Sequence, residues 1–400
     1  MSFFDQFDEA SWEFTYGDEC NPELTVLQVG LVAIFHIDEG WHEEKRRAIA
    51  EAIERYVQDY GDKLQSGYLV NVNKPERFIR KDGSNRIRRL LALEDDDADT
   101  RWGSSHSLDY VSDYQIGAAL PAGWFEYVHR SVSYVCFYLP VSELKEEGGK
   151  ERFERLILDF CTLLKPMHGL AGLGVQQVYE DHKYQHLEYE VAQMFNGIDM
   201  TSNSTNRGMR NGFSSVNWYT FLADEWVEKL GGKGQLVTRF DSTDIMLLPY
   251  DGGVVIRAGE WPELGWIEKD PYPDLYVKVN QVLKPVRTPD MGSFGNGSIA
   301  GEIRFNKEST ARWLARFDNA PQLSANAPPK SVQSRLITAK TTEPCPHTGF
   351  YGSGFPLEYA TVQQGFPMPP RKNGNPTQWT LLRRADGGPT SVSVESDGEK

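Results

Sequence analysis

Two short segments carry the residue types that a metal site requires. Cys345 and His347 lie two residues apart in a glycine-rich stretch, and His182 and His186 are spaced i, i+4, which on a helix places both imidazoles on one face. A closed zinc site needs four ligands, and neither segment has further cysteines or histidines at zinc spacing. We therefore favour surface or packed histidines and predict no metal and no cofactor, with ligation by His182 and His186 as an open alternative.

Signals for nucleotide binding and for catalysis are weak. The glycines at 169–174 have the spacing G-x-x-G-x-G, whereas a dinucleotide-binding loop has G-x-G-x-x-G. They also come before a predicted strand, whereas a dinucleotide-binding loop comes after one. Cys136 and Cys161 have apolar neighbours, which raise the pKa of a thiol and make it a poor nucleophile. No G-x-S-x-G occurs. We predict that the chain is not an enzyme; a hydrolase whose catalytic groups the sequence does not reveal is the alternative.

The charge of the chain indicates what kind of partner it suits. Its 400 residues include 57 Asp or Glu and 42 Lys or Arg, which gives a net charge of −15. Nucleic-acid-binding proteins normally present a basic face, so direct binding of nucleic acid is not expected. An acidic surface instead favours a basic protein partner, because opposite fields steer and accelerate encounter.

One acidic run lies beside a tryptophan. Charge runs are usually solvated loops, but an aromatic residue flanked by acids is also typical of an interface with a basic protein. We therefore predict a partner-binding site made of six residues: Glu94, Asp95, Asp96, Asp97, Asp99 and Trp102.

The N-terminal segment is a second acidic and aromatic stretch. Its acids are Asp5, Asp8, Glu9 and Glu13, and they alternate with five aromatic residues. These rings have two possible roles, packing on the body of the protein or engaging a partner, and we favour packing. The ring-bearing residues are Phe3, Phe4, Phe7, Trp12 and Phe14.

Targeting signals are not visible in the sequence. The first residues are acidic and lack the basic start of a secretory signal, and no run of eighteen apolar residues occurs. The four cysteines, which include Cys20 and Cys345, show no spacing that pairs them. We therefore expect no membrane span and a cytoplasmic location, where thiols stay reduced.

Periodicity predicts a mixture of strands and helices without regular alternation, which indicates an α+β fold with a largely antiparallel sheet. The clearest hairpin is at 244–259, where Asp251-Gly252 suits a type I′ turn. A hairpin followed by a helix occurs at 114–165 and again at 244–284, which hints at an internal duplication. The predicted strands are 25–37, 114–120, 131–139 and 170–179, and the predicted helices are 41–61, 152–164, 217–230 and 273–284.

Composition divides the chain into five predicted parts. A Pro- and Ser-rich stretch without apolar period reads as a linker, and the last residues read as a disordered tail. Between them lies a short module rich in aromatics, glycine and proline, which is too small to fold alone. The predicted parts are an N-terminal arm at 1–24, a main domain at 25–320, a linker at 321–342, the module at 343–385 and the tail at 386–400.

The order of several segments resembles the type VI secretion immunity family, long catalogued as a domain of unknown function. The resemblance covers residues 25–317 and rests on segments such as VGLVAIFHIDEGW at 29–41, GMRNGFSSVNWYTFLADEWVEKLGG at 208–232 and LLPYDGGVVIRAGEWPELG at 247–265. It implies a non-catalytic protein that binds and neutralises a cognate antibacterial toxin encoded beside it, with a nuclease as the expected toxin. It supplies no catalytic residues to transfer to this sequence.

Overall fold

The computed structural model describes residues 2–71, 74–79, 99–178, 181–200, 207–294, 303–320, 333–353, 358–386 and 391–394. The chain divides into two compact units, Met1–Ala320 and Pro321–Lys400. Each unit has its own β-structure and its own buried apolar cluster.

The first unit is built on one eleven-stranded sheet in which every strand pairing is antiparallel. Its strands are β1 (Tyr16–Gly17), β2 (Thr25–Ile37), β3 (Ser66–Asn71), β4 (Lys74–Ile79), β5 (Thr100–Ser105), β6 (Gln115–Leu120), β7 (Ser133–Leu139), β8 (His168–Gln177), β9 (Tyr219–Ala223), β10 (Ile245–Tyr250) and β11 (Gly253–Ala258). The order across the sheet is β10-β11-β9-β8-β2-β7-β6-β5-β3-β4, and β1 pairs with β2. The predicted α+β fold with a largely antiparallel sheet is confirmed.

Strand β2 crosses the middle of the sheet because its sequence is apolar and β-branched almost throughout. It pairs with β7 on one side and with β8 on the other. All but two of its side chains are buried, so the predicted strand at 25–37, buried on both faces, is confirmed. Phe35 lies near the C-terminal end of β2, stacked on Phe221 with ring centroids 4.9 Å apart and packed against Phe160 at 5.2 Å.

Nine α-helices fall within the described part of the chain. They are α1 (Phe3–Ala10), α2 (Glu43–Tyr60), α3 (Gly123–His129), α4 (Gly149–Leu164), α5 (Gln185–Ala192), α6 (Asp224–Lys229), α7 (Gly232–Phe240), α8 (Asp274–Leu283) and α9 (Lys307–Leu314). Helices α2 and α4 lie side by side, joined by an ion pair from Arg55 to Asp159 at 2.9 Å. Both pack on the sheet: the Tyr56 hydroxyl of α2 donates to the Tyr138 carbonyl of β7 at 2.9 Å.

The predicted helix at 217–230 is wrong in its first half. Tyr219–Ala223 is strand β9, held between β8 and β11, and only Asp224–Lys229 is helical. A short buried apolar run has no period that distinguishes a strand from a helix, so pairing with neighbouring strands determines its secondary structure. The two glycines expected to end this helix lie where α7 begins instead: Gly231 caps it with φ of 97° and Gly232 is its first residue.

The hairpin of β10 and β11 is confirmed, with Tyr250 paired to Gly253 across a two-residue loop. Its turn is not type I′, because that type needs a positive φ at both central residues and only Gly252 has one, at 112°.

The other predicted strands and helices agree with the structure to within three residues at each end. The two segments that hinted at duplication occupy different places, β6 and β7 near the middle and β10 and β11 at an edge, and duplication stays a prediction.

The described residues of the second unit form six strands in two antiparallel sheets. These strands are β12 (Gln333–Leu336), β13 (Thr338–Lys340), β14 (Gly349–Ser353), β15 (Glu358–Val362), β16 (Gln378–Arg384) and β17 (Ser391–Val394). Tyr351, Trp379 and Leu381 form its small core with Met368. Strands β12 and β13 fall within the predicted linker and β17 within the predicted tail, so strand pairing begins earlier and ends later than composition indicated.

Candidate partner-binding surface

The six residues predicted as a binding site do not lie together on one described surface. Glu94, Asp95, Asp96 and Asp97 lie outside the described residues. Trp102 lies on β5, where its side chain is 1% exposed and belongs to the main core, so it does not offer the surface anchor that its acidic neighbours predicted. Asp99 is exposed, just before β5.

Asp99 connects the acidic run to a helix that sequence analysis missed. Its Oδ1 accepts a hydrogen bond of 2.6 Å from the backbone N–H of Ala122, the residue that precedes α3. Ala122 has no capping side chain of its own, so this carboxylate satisfies one of the donors at the start of the helix. The first turn is also close-packed: a Cβ added at Gly123 would lie 2.9 Å from the ring of Trp41.

Helix α3 is held to the body by a buried charge. Glu126 is 2% exposed, and its Oε1 accepts bonds from Arg210 Nη2 at 2.6 Å and from the Glu39 N–H at 2.8 Å. Arg210 also pairs with Asp38 and donates from Nε to the Ser131 carbonyl at 3.0 Å. Burial raises the pKa of Glu126 to about 7, although the Glu39 N–H and Arg210 both lower it.

The opposite side of the same helix is apolar and faces solvent. Trp124 is 53% exposed, Tyr127 87% and Val128 64%. These three positions are spaced i, i+3 and i+4, so they form one face of the helix, which we call the aromatic face. Helices of soluble proteins normally turn their apolar residues inward, and α3 has the reverse arrangement.

The acidic N-terminal segment packs against the rest of the first unit. Phe4 packs against Trp261 with centroids 5.2 Å apart, and Phe14 packs against Phe195 at 5.5 Å, which confirms the packing interpretation for these rings. Its acids are engaged as well: Asp5 accepts a hydrogen bond in the capping box of α1, Asp8 pairs with Lys145 at 3.2 Å and Glu9 with Lys269 at 2.6 Å. Burial raises the pKa of Glu13 to about 7. Trp12 differs, with 70% of its side chain exposed.

The candidate metal and nucleophile residues do not assemble into a site in the described part of the chain. His182 lies in a 3-10 turn, Asp181–Tyr184, and His186 lies in α5, so the pair does not share one regular helix. The described residues contain no group of three or more potential ligands. Burial raises the pKa of Cys136 to about 12, and Cys345 is a core residue whose Sγ lies 3.2 Å from the Tyr351 hydroxyl.

The glycines at 169–174 serve packing rather than a phosphate. They lie within β8, where every residue is buried. Gly172 has φ of 151°, and a Cβ there would lie 2.1 Å from the Asn217 side chain. Close approach of a neighbouring part of the chain explains the glycine at this position. Among the described residues, no helix has the length and apolar character that crossing a membrane requires.

The chain shares its fold with a protein of known structure. A solved structure of the Pseudomonas aeruginosa T6SS protein PA0821 matches it with a TM-score of 0.66, over 79% of this chain and 91% of that chain. The two sequences are 20% identical, so this likeness concerns the fold. No curated protein matches the sequence.

The family is defined by a second finding. Residues 48–317 match the family model TsiV, described as type VI immunity for VRR-NUC. The chain belongs to this family, and the resemblance read from the sequence is confirmed. The matched residues lie within the first unit and include the aromatic face together with Glu126 and Arg210.

Proposed function

We propose that this chain binds a nuclease toxin of the VRR-NUC type, encoded beside it, and neutralises it in the producing cell. The observation that carries the proposal is the family match over residues 48–317. The proposed immunity domain is 25–320, which contains that match. Because nucleic acid is the substrate of such a toxin, we place the complex in the cytoplasm.

The charge of the chain supports inhibition by direct contact. A nuclease must present positive charge to bind the phosphate backbone. A protein with a net charge of −15 is attracted to that surface and competes with nucleic acid for it. Opposite fields raise association rates by orders of magnitude, which suits an inhibitor that must act before the toxin meets DNA or RNA.

Titrating the purified chain against the nuclease activity of the toxin tests the proposal. We expect activity to fall linearly and to end at a fixed molar ratio, because stoichiometric binding removes one toxin for each complex formed. Raising the salt from about 0.05 to 0.5 M should slow association by roughly tenfold or more, since the attraction is screened. Protection at far less than one chain per toxin would point to catalysis, and absence of binding would refute the proposal.

The acidic run makes a narrower prediction. Replacing Asp95, Asp96 and Asp97 together with asparagine removes three negative charges with almost no change in side-chain volume. We expect the association rate with the toxin to fall several-fold at low salt while the dissociation rate changes little, since peripheral charges act mainly on encounter. Stopped-flow association at two salt concentrations measures this. An unchanged rate would remove the run from the interface.

Replacing an equal number of acids elsewhere provides the control for net charge. Glu43, Glu51 and Glu54 lie on α2, away from the acidic run in sequence. Their combined replacement with glutamine changes the total charge by the same amount as the Asp95–Asp97 variant. If both variants slow association equally, the effect belongs to net charge and not to the run itself.

A further inference from the structure

We propose that the aromatic face of α3, made of Trp124, Tyr127 and Val128, is the surface that anchors the chain on a cationic, arginine- and lysine-bearing surface of the toxin. The inference rests on the proposed function and adds to it the site of contact and the chemistry of the partner. Nothing in the family match identifies these residues, and none of the three is among the six residues that the sequence favoured as a binding site.

The way in which α3 is held explains why its apolar residues face outward. Burying a carboxylate is unfavourable unless it is paired and hydrogen-bonded. Glu126 is 2% exposed and receives bonds from Arg210 and from the Glu39 N–H. An apolar residue at position 126 could be buried without such partners. Because the buried residue is a carboxylate, its hydrogen bonds and ion pair fix the orientation of the helix. That orientation leaves Trp124 and Tyr127 in water, where large aromatic rings bring no stability to the free chain.

The aromatic face is also rigid, which favours binding. The helix is fixed at its start by Asp99 and by the Trp41 ring against Gly123, and at its end Arg130 Nη2 lies 3.4 Å from Asn211 Oδ1. Aromatic side chains on a fixed backbone lose little conformational entropy when they meet a partner. Tryptophan and tyrosine are the residues that most often dominate interface energies.

The charges around the face favour a cationic partner. Exposed Asp99 lies at the start of α3, and exposed Glu39 and half-buried Asp38 lie beside Glu126. Arg210 is neutralised by Glu126 and Asp38, which leaves His129 and Arg130, at the far end, as the exposed basic residues of the helix and its cap. Guanidinium and ammonium groups bind well over tryptophan and tyrosine rings, and nearby carboxylates strengthen that contact.

Alanine variants test the anchor. The double variant Trp124→Ala, Tyr127→Ala should bind the toxin at least about 100-fold more weakly than the natural chain, mainly through faster dissociation. Its thermal unfolding midpoint should stay the same, because both side chains are largely exposed. Trp12→Ala is the matched control: Trp12 is 70% exposed on a different segment and should bind with unchanged affinity. Equal affinity of the double variant and the natural chain would overturn the inference.

A charge pair at one position tests the chemistry of the partner. Tyr127→Lys and Tyr127→Glu remove the same ring from a position that is 87% exposed, so neither is expected to disturb the fold. Against a cationic surface the lysine variant should bind about tenfold or more weakly than the glutamate variant, and high salt should narrow the difference. Equal affinities, or the reverse order, would refute a cationic partner at this face.

The outcomes separate this inference from the proposed function. If the natural chain does not bind the toxin, the proposed function fails. If it binds and the α3 variants bind equally well, only the anchor fails. Sedimentation of the free chain tests whether a second copy of the chain binds the aromatic face instead of the toxin. If the natural chain is a dimer and the double variant is a monomer, the face is a dimer interface and the inference is overturned.

Discussion

Replacing Phe35 with alanine should lower the free energy of unfolding of the first unit by about 3–5 kcal/mol. The ring is fully buried in the main core and contacts the rings of Phe137, Phe160 and Phe221. These partners come from β7, α4 and β9, so the surrounding structure cannot collapse into the cavity without moving three elements. Denaturant unfolding followed by circular dichroism measures the loss.

Two variants make the Phe35 result interpretable. Phe35→Leu keeps most of the volume and should cost less than about 1.5 kcal/mol. Tyr127→Ala also removes an aromatic ring from the first unit, at a side chain that is 87% exposed, and it should stay within about 0.5 kcal/mol of the natural chain. A loss below about 1 kcal/mol for Phe35→Ala would show that this ring is not part of a tightly packed core.

Removing the Asp318 carboxylate should have a comparable effect through a different mechanism. Arg287 donates to both of its oxygens, at 2.7 and 2.6 Å, and the two side chains are only 12% and 11% exposed. Asn280 of α8 also donates to Asp318, at 3.0 Å. Asp318→Ala leaves a buried guanidinium without its counter-charge, which typically costs about 3–5 kcal/mol. Chemical unfolding of the variant measures this.

The same carboxylate makes stability depend on pH. Burial alone would raise the pKa of Asp318, but hydrogen bonds from Arg287, Asn280 and Lys284 outweigh it and lower the pKa well below the usual range. Its stabilising contribution is therefore complete above the unfolded-state pKa of about 3.9 and is lost as the pH falls through the folded value. The natural chain should lose stability below about pH 4 more steeply than Asp318→Asn does.

An exposed ion pair provides the contrast. Glu260 is 71% exposed and pairs with Lys150 at 3.2 Å, so Glu260→Ala should cost less than about 1 kcal/mol. The double variant Arg287→Met, Asp318→Leu should be less destabilising than Asp318→Ala alone, because the double variant leaves no unpaired charge. Equal costs for Asp318→Ala and Glu260→Ala would show that the buried pair contributes no more than a surface contact.

Local sequence pattern was enough for the elements that carry a strong period. Strand β2 is a long β-branched run, α4 has an amphipathic period, and the hairpin at β10 and β11 is marked by Asp251-Gly252. Strand β9 was read as a helix because a buried apolar stretch of five residues shows no decisive period. Its state is set by pairing with β8 and β11, which sequence pattern alone does not reveal.

The surface around α3 depends on contacts between residues far apart in sequence. Glu126 is bound by Arg210, 84 residues later, and nothing local marks either residue as half of an ion pair. The helix has seven residues and no capping side chain, so it lacks the usual signals of a helix start. Trp102 shows the converse: its acidic neighbours suggested a surface anchor, but pairing of β5 with β3 and β6 places it in the core.

The placement of β2 also affects the synthesis of the chain on the ribosome. Gln28 of β2 and Gln176 of β8 share a side-chain hydrogen bond although 148 residues separate them. At a translation rate of about 5–20 residues per second, β2 therefore waits roughly 7–30 s for this neighbour. Until β8 has been made, the edge of this thirteen-residue apolar strand that pairs with it stays open to other nascent chains. Under the proposed function, a cell that makes toxin and inhibitor together must begin translating the inhibitor early, because a new chain would bind the toxin only after its central strand has been enclosed.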